Sequence, residues 1–156
     1  MTGNRKRLLL YGTLTLAMMT VIFLFSSQDG SESGGLSAWL LSTPFGRTLM
    51  RLLPRLSDQG IEYDLRKYAH MGEYALLAMP AFGFFRELLV GRKIPAAFLS
   101  ALLFCFLYAC SDELHQRFIP DRSGQFSDVL IDTAGVLLGL IFACAGCFLK
   151  MRKEQK

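Results

Sequence analysis

Four apolar runs constrain this chain more than any other feature, because about 18 or more consecutive apolar residues cross a bilayer rather than pack as a soluble core helix. The first covers residues 8–25 without a charge and follows Arg5, Lys6 and Arg7. The second centres on residues 74–85 and is read as a span over 70–90; Pro80 inside it is tolerable where a neighbouring helix re-satisfies the freed carbonyl. The third, 94–111, follows the basic turn Gly91-Arg92-Lys93, and the fourth, 129–149, precedes Lys150, Arg152 and Lys153. The pattern predicts an all-α integral membrane protein, one domain over residues 1–156 with four transmembrane helices.

Composition agrees, with 52% hydrophobic residues against 19% charged, which excludes a disordered or tail-like chain. A sequence pI near 9.0 would suggest nucleic acid in a soluble protein, but the basic residues here flank apolar runs and report topology, so no nucleic-acid partner is expected. The first run exceeds a usual signal-peptide core and no A-x-A site follows it, so it reads as an uncleaved signal anchor. All four cysteines lie in or beside apolar runs, where thiols behave as small hydrophobes; neither a disulfide framework nor a redox role for Cys144-x-x-Cys147 is expected.

Charge counting sets the orientation, because Lys and Arg in short loops stay cytoplasmic. With the N-terminus inside, Arg5, Lys6, Arg7, Arg86, Arg92, Lys93, Lys150, Arg152, Lys153 and Lys156 are cytoplasmic with only Glu87 and Glu154. The other side holds the remaining seven basic residues and eleven acids. Both termini are therefore expected in the cytoplasm of a multi-pass protein.

On the outer side, residues 29–35 read as a flexible linker and 36–56 as an amphipathic stretch lying in the membrane interface. Thr43 is placed to cap a helix with Pro44 at its first position. Arg47, Arg51 and Arg55 recur every four residues, opposite Leu49, Leu52, Leu53 and Leu56.

Ionisable residues gather at the same outer side. Asp64 can cap the second span, and Lys67, His70, Glu73 and Tyr74 follow on one helical face. The third span runs out into Ser111, Asp112, Glu113, His115 and Gln116, which pair at four-residue intervals if the helix continues. Residues 118–124, with Pro120, Asp121, Arg122, Ser123 and Gly124, carry turn chemistry, and Ser127 or Asp128 can cap the fourth span. Asp128, Asp132, Gly135 and Gly139 form one stripe whose G-x-x-x-G part should face the bundle interior. Ionisable groups at span ends need pairing, hydration or a function, and a functional site is the default reading.

These residues carry a resemblance to the VanZ-like family of bacterial multi-pass membrane proteins over nearly the whole chain. It rests on Phe25-Ser26-Ser27-Gln28, on Lys67-x-x-His70-x-x-Glu73-Tyr74, on Ser111-Asp112-Glu113-x-His115-Gln116-x-Phe118-x-Pro120-x-Arg122, and on Asp128-Val129-x-x-Asp132-x-x-Gly135. Asp132 departs from the pattern, since many members carry Asn there, and adds a second charge. The resemblance implies a bacterial cell membrane and a cell-envelope setting linked to glycopeptide resistance, but no reaction.

Three functional readings stand. In the first, an enzyme acts on a lipid or lipid-linked envelope precursor at the outer leaflet. His70 or His115 is its acid or base, with Glu73 or Asp112 orienting the imidazole; Glu113 and Asp128 belong to the same catalytic set. Arg122, with Lys67, Gln116 and Asp132, would bind the substrate and its phosphate. A divalent metal such as Zn or Mn on His70, Glu73, His115 and the aspartates is a weaker variant, since no H-E-x-x-H motif is present, and no metal ligand is assigned. In the second reading the cluster binds a headgroup or antibiotic without chemistry, or serves transport. In the third, Glu73, Asp112, Asp128 and Asp132 merely pair with Lys67, Arg117 and Arg122.

Overall fold

Each apolar run forms a helix, in a computed structural model that describes residues 2–89, 91, 94–120, 122 and 124–154. Val90, Arg92, Lys93, Asp121, Ser123 and Lys156, all used above, lie outside the described residues. The helices are α1 (Thr2–Ser26), α2 (Gly30–Ser42), α3 (Pro44–Leu52), α4 (Ile61–Leu88), α5 (Ile94–Gln116) and α6 (Phe126–Glu154).

Among the described residues, three helices rather than four are long and apolar enough to cross a membrane: α1, α5 and α6. At 28 residues α4 is about 42 Å long, which exceeds the hydrocarbon thickness, but its first four turns carry Glu62, Asp64, Arg66, Lys67, His70 and Glu73. Its charges are affordable because α4 is the centre of the bundle, with α1, α5 and α6 packed around it.

The distribution of side chains is inverted relative to a soluble domain. Leu9, Leu103, Phe142 and Phe148 are 69%, 59%, 66% and 64% exposed, whereas Asp112, Glu113, Asp128 and Asp132 are buried. An apolar perimeter is what a bilayer stabilises, and the buried acids at one end must find their partners inside the bundle, since lipid offers no hydrogen bonds. Between the polar end and the opposite one, Tyr74, Leu77, Ala78, Ala81, Ala101 and Cys105 fill the core. All four cysteines carry free thiols and lie in α5 or α6.

The α4–α6 contact is the closest in the bundle. A Cβ on Gly135 would collide with the Met71 carbonyl, and one on Gly139 with that of Ala75. The small-residue stripe thus faces inward, as its spacing predicted, and lets the two backbones touch.

Four local expectations are corrected. Residues 30–35 belong to α2 instead of a linker, because Leu36, Ser37 and Leu40 dock against α4 and order the Gly and Ser residues before them. The amphipathic segment is helical only to Leu52: Thr43 caps it by accepting the Gly46 N–H at 3.0 Å, but Pro54 forces Leu53 into an extended conformation, which puts Arg55 and Leu56 beyond the helix. Asp64 does not cap α4, which starts after Gly60 at a φ of 114° open to glycine; it lies one turn in and binds Arg55 and Ser57. Ser127 and Asp128 likewise fall within the first turn of α6, where the acid suits the helix dipole.

Candidate functional site

The end of the bundle where α1 and α5 finish and α4 and α6 begin collects the polar side chains. Two cavities open there. One, of about 80 Å³, lies between α4, α5 and α6 and is lined by Arg66, Lys67, His70, Gln116, Arg122 and Asp132, with Glu113 and Asp128 beside them. The other, of about 140 Å³, lies under α2 and brings Glu73 and the apolar Leu36, Leu40 and Leu65 to the same His70, Arg66 and Arg122. About 10–15 Å³ of such space admits one water, so either cavity takes a group of several atoms.

Three side chains therefore form the wall common to both cavities: Arg66 and His70, one turn apart on α4, and Arg122 from the α5–α6 turn. Arg122 is fixed by bonds to neutral groups, donating to the Phe25 carbonyl at 3.2 Å and to Gln116 Oε1 at 3.4 Å. Burial, and then the neighbouring Arg66 charge, lower the pKa of its guanidinium. Among the described residues neither Arg66 nor Arg122 makes an ion pair, whereas Lys67 is paired with Asp128. The Lys67 ammonium also sits 4.6 Å from the Tyr63 ring centroid.

Several buried polar atoms at this wall lack a hydrogen-bond partner: His70 Nδ1, Glu73 Oε2, Arg66 Nε, Arg122 Nε and Asp132 Oδ2. Such atoms carry a desolvation cost of about 1–3 kcal/mol each, which a bound polar group would relieve. The other carboxylates are occupied. Asp112 Oδ2 accepts from Ser26 Oγ at 2.9 Å and from Gln116 Nε2 at 3.1 Å. Glu113 accepts the Gln125 N–H at 3.0 Å and Gln116 Nε2 at 3.4 Å, and Gly124 packs so tightly on the Glu113 carbonyl that a Cβ there would clash.

The sequence-predicted residues thus divide. Lys67, His70, Glu113, Gln116, Arg122, Asp128 and Asp132 meet at the first cavity and Glu73 joins at the second. Asp112 is buried behind them, held by Ser26 and Gln116. His115 lines neither cavity: it stacks on Phe23 with ring centroids 4.8 Å apart, and its Nε2 lies 3.2 Å from Ser27 Oγ. A shared role for the two imidazoles is therefore not supported by their placement. The expected orientation of an imidazole by Glu73 or Asp112 is not seen either, since His70 Nδ1 is unpaired and the contact of His115 is to Ser27. Among the described residues no group of three His, Cys, Asp or Glu side chains is arranged to hold a metal ion.

Arg66 and Tyr63 line the first cavity but were missed in the sequence. Their signal was available: Arg66 precedes His70, and Tyr63 precedes Lys67, by four residues, one helical turn on the same face.

The family model described as VanZ/LLP1 matches residues 11–149, most of the chain and every residue of both cavity walls. The chain belongs to the VanZ/LLP1 family. No curated relative and no solved structure matches it. In this VanZ/LLP1 chain the helices outside the match are only the first turns of α1 and the last turn of α6, so the site is built wholly from the family's own part.

Proposed function

We propose that this VanZ/LLP1 protein binds the phosphate-bearing headgroup of a membrane lipid or lipid-linked cell-envelope component at the His70, Arg66 and Arg122 wall. One observation carries the reading: two guanidiniums without carboxylate partners share a wall with an unpaired buried imidazole nitrogen. Guanidinium forks match phosphate geometry, and the low dielectric of a span end strengthens the attraction. The apolar side of the second cavity, Leu36, Leu40 and Leu65, would take the first carbons of the lipid chain.

The setting is part of the proposal. α4 adds to α1, α5 and α6 as the second of four spans, in chain order, of a plasma-membrane protein, its charged turns lying at the extracytoplasmic interface where ionisable groups cost least. Both termini are cytoplasmic, since the opposite end carries the excess of Lys and Arg. A link to glycopeptide-type resistance rests on the family resemblance.

Chemistry on the bound headgroup is the second reading, and the unpaired His70 Nδ1 favours it. With Glu73 or Asp132 nearby, His70 has the reach of a proton donor or acceptor. A purely structural network finds support in the Lys67–Asp128 pair, but Arg117 donates to the Gly124 carbonyl and Arg122 to Gln116 and Phe25 instead of to acids, so it is supported less.

Native mass spectrometry of the detergent-purified protein tests binding. Phospholipid adducts on the wild type should fall about tenfold in Arg66→Gln and Arg122→Gln, as for loss of one charge-assisted hydrogen bond. Equal adducts on all three proteins would remove the proposal. Lipid turnover by the wild type in proteoliposomes, lost in His70→Gln, would convert the binder into an enzyme.

A further inference from the structure

At the opposite end of the bundle, α1 and α6 both pack on α4 and make little contact with one another. The result is a groove of about 380 Å³ with α4 as its floor. Met79, Phe82 with Gly83, and Arg86 follow one another along that floor, each one helical turn from the last. Phe142, Gly146 and Lys150 form the α6 wall at regular four-residue intervals. Tyr11 closes the α1 side, its ring packed directly on Gly83.

The groove is graded along its length. Its deep part is apolar, and Phe142 and Met79 leave 66% and 38% of their surface open beside it. Its mouth carries Arg7, Arg86 and Lys150 against a single acid, Glu87, which Arg7 already engages at 3.8 Å. Arg86 and Lys150 are left as exposed cations on either side of the opening, from two different helices. Gly146 keeps the groove open, since a Cβ there would meet nothing within 4 Å.

We infer that this groove is a second lipid site, which takes an anionic phospholipid of the leaflet at the termini, its phosphate between Arg86 and Lys150 and an acyl chain along Met79, Gly146 and Phe142. Basic pockets between membrane helices recognise anionic headgroups, and a narrow apolar cleft continuous with the bilayer suits a single chain. The charge balance selects an anionic over a zwitterionic lipid, whose choline would face the same two cations. The site is distinct from the His70 wall, with Arg86 sixteen residues, about 24 Å, further along α4 than His70.

Photo-crosslinking locates it. The full chain is placed in phosphatidylcholine nanodiscs containing a trace of diazirine-bearing phosphatidylglycerol or, in parallel, diazirine-bearing phosphatidylcholine, and labelled peptides are read by mass spectrometry. Phosphatidylglycerol should label residues 142–150 and 79–86 in preference to phosphatidylcholine. At about fivefold per basic group near an anionic headgroup, Arg86→Gln with Lys150→Gln should reduce that labelling roughly 25-fold. Gly146→Leu, whose Cβ enters open space, should reduce it while leaving the melting temperature unchanged, and Arg122→Gln should have no effect. Equal labelling by the two lipids, or unchanged labelling in the double glutamine variant, would each overturn the inference.

Discussion

Lys67 on α4 and Asp128 on α6 form an ion pair across the first turns of the two helices, with 13% and 10% of their side chains exposed. The pair joins the helices at the site end, and the Gly135–Met71 and Gly139–Ala75 contacts join them one and two turns further along α4. The site is thus clamped onto the tightest interface of the bundle, which fixes the position of Arg66 and His70 relative to Asp132.

Breaking that pair on one side should cost more than removing both charges. Lys67→Met leaves the Asp128 carboxylate buried without a counter-ion, a loss of about 3–5 kcal/mol, whereas Lys67→Met with Asp128→Leu should recover most of it. Thermal unfolding in detergent, arranged as a double-mutant cycle, measures the coupling. Additive losses would show that the pair is not coupled.

Close backbone contact predicts that size matters at only some glycines. Gly135→Leu and Gly139→Leu must push α6 off the Met71 and Ala75 carbonyls and should destabilise by about 1–3 kcal/mol or abolish folding. Gly72→Ala, on the same α4 segment but with nothing within 4 Å of a Cβ, should be neutral or slightly stabilising. Expression level and melting temperature compare the three.

The segment between α3 and α4 should be acid-sensitive. Burial raises the pKa of Asp64, but hydrogen bonds from Arg55 and Ser57 and the Arg55 charge outweigh it and hold the carboxyl below its ordinary value of 3.8. A depressed folded-state pKa means the contribution is fully present above about pH 4 and fades as pH falls through the folded value. Melting temperature followed from pH 6 to pH 3 should drop less in Asp64→Asn than in the wild type. Parallel curves would refute a titrating Asp64.

The two histidines should separate in function. His115 lies against Phe23 and Ser27, away from both cavities, so His115→Gln should retain lipid binding while His70→Gln weakens it severalfold. Lipid adducts per chain, compared at equal detergent and protein concentration, measure this. Equal losses would place the two rings in one site.

Much of this arrangement could be read from the residues, and the remainder fails for identifiable reasons. α1, α5 and α6 were legible because long apolar runs leave few alternatives in water, and the face carrying Lys67, His70 and Glu73 because helical spacing fixes which residues are neighbours. The separation of His115 from His70 was not, since it depends on how α5 is rotated about its axis. The buried stripe Ala101, Cys105, Ala109 and Asp112 settles that rotation and turns His115 toward α1. The helix α2 was hidden by its Gly and Ser content, which favours a linker until its leucines find α4. The end of α3 at Leu53 was written in Pro54, a local rule that the recurring arginines outweighed.

The central claim is that Arg66, His70 and Arg122 recognise a lipid-borne phosphate. Equilibrium binding of farnesyl monophosphate and of farnesol to the full chain in detergent isolates the phosphate from the chain that carries it. The phosphate ester should bind at least about tenfold more tightly than the alcohol, and Arg122→Gln should abolish the difference without changing farnesol binding. Equal affinities for ester and alcohol in the wild type, or a preference that survives in both Arg66→Gln and Arg122→Gln, would contradict it.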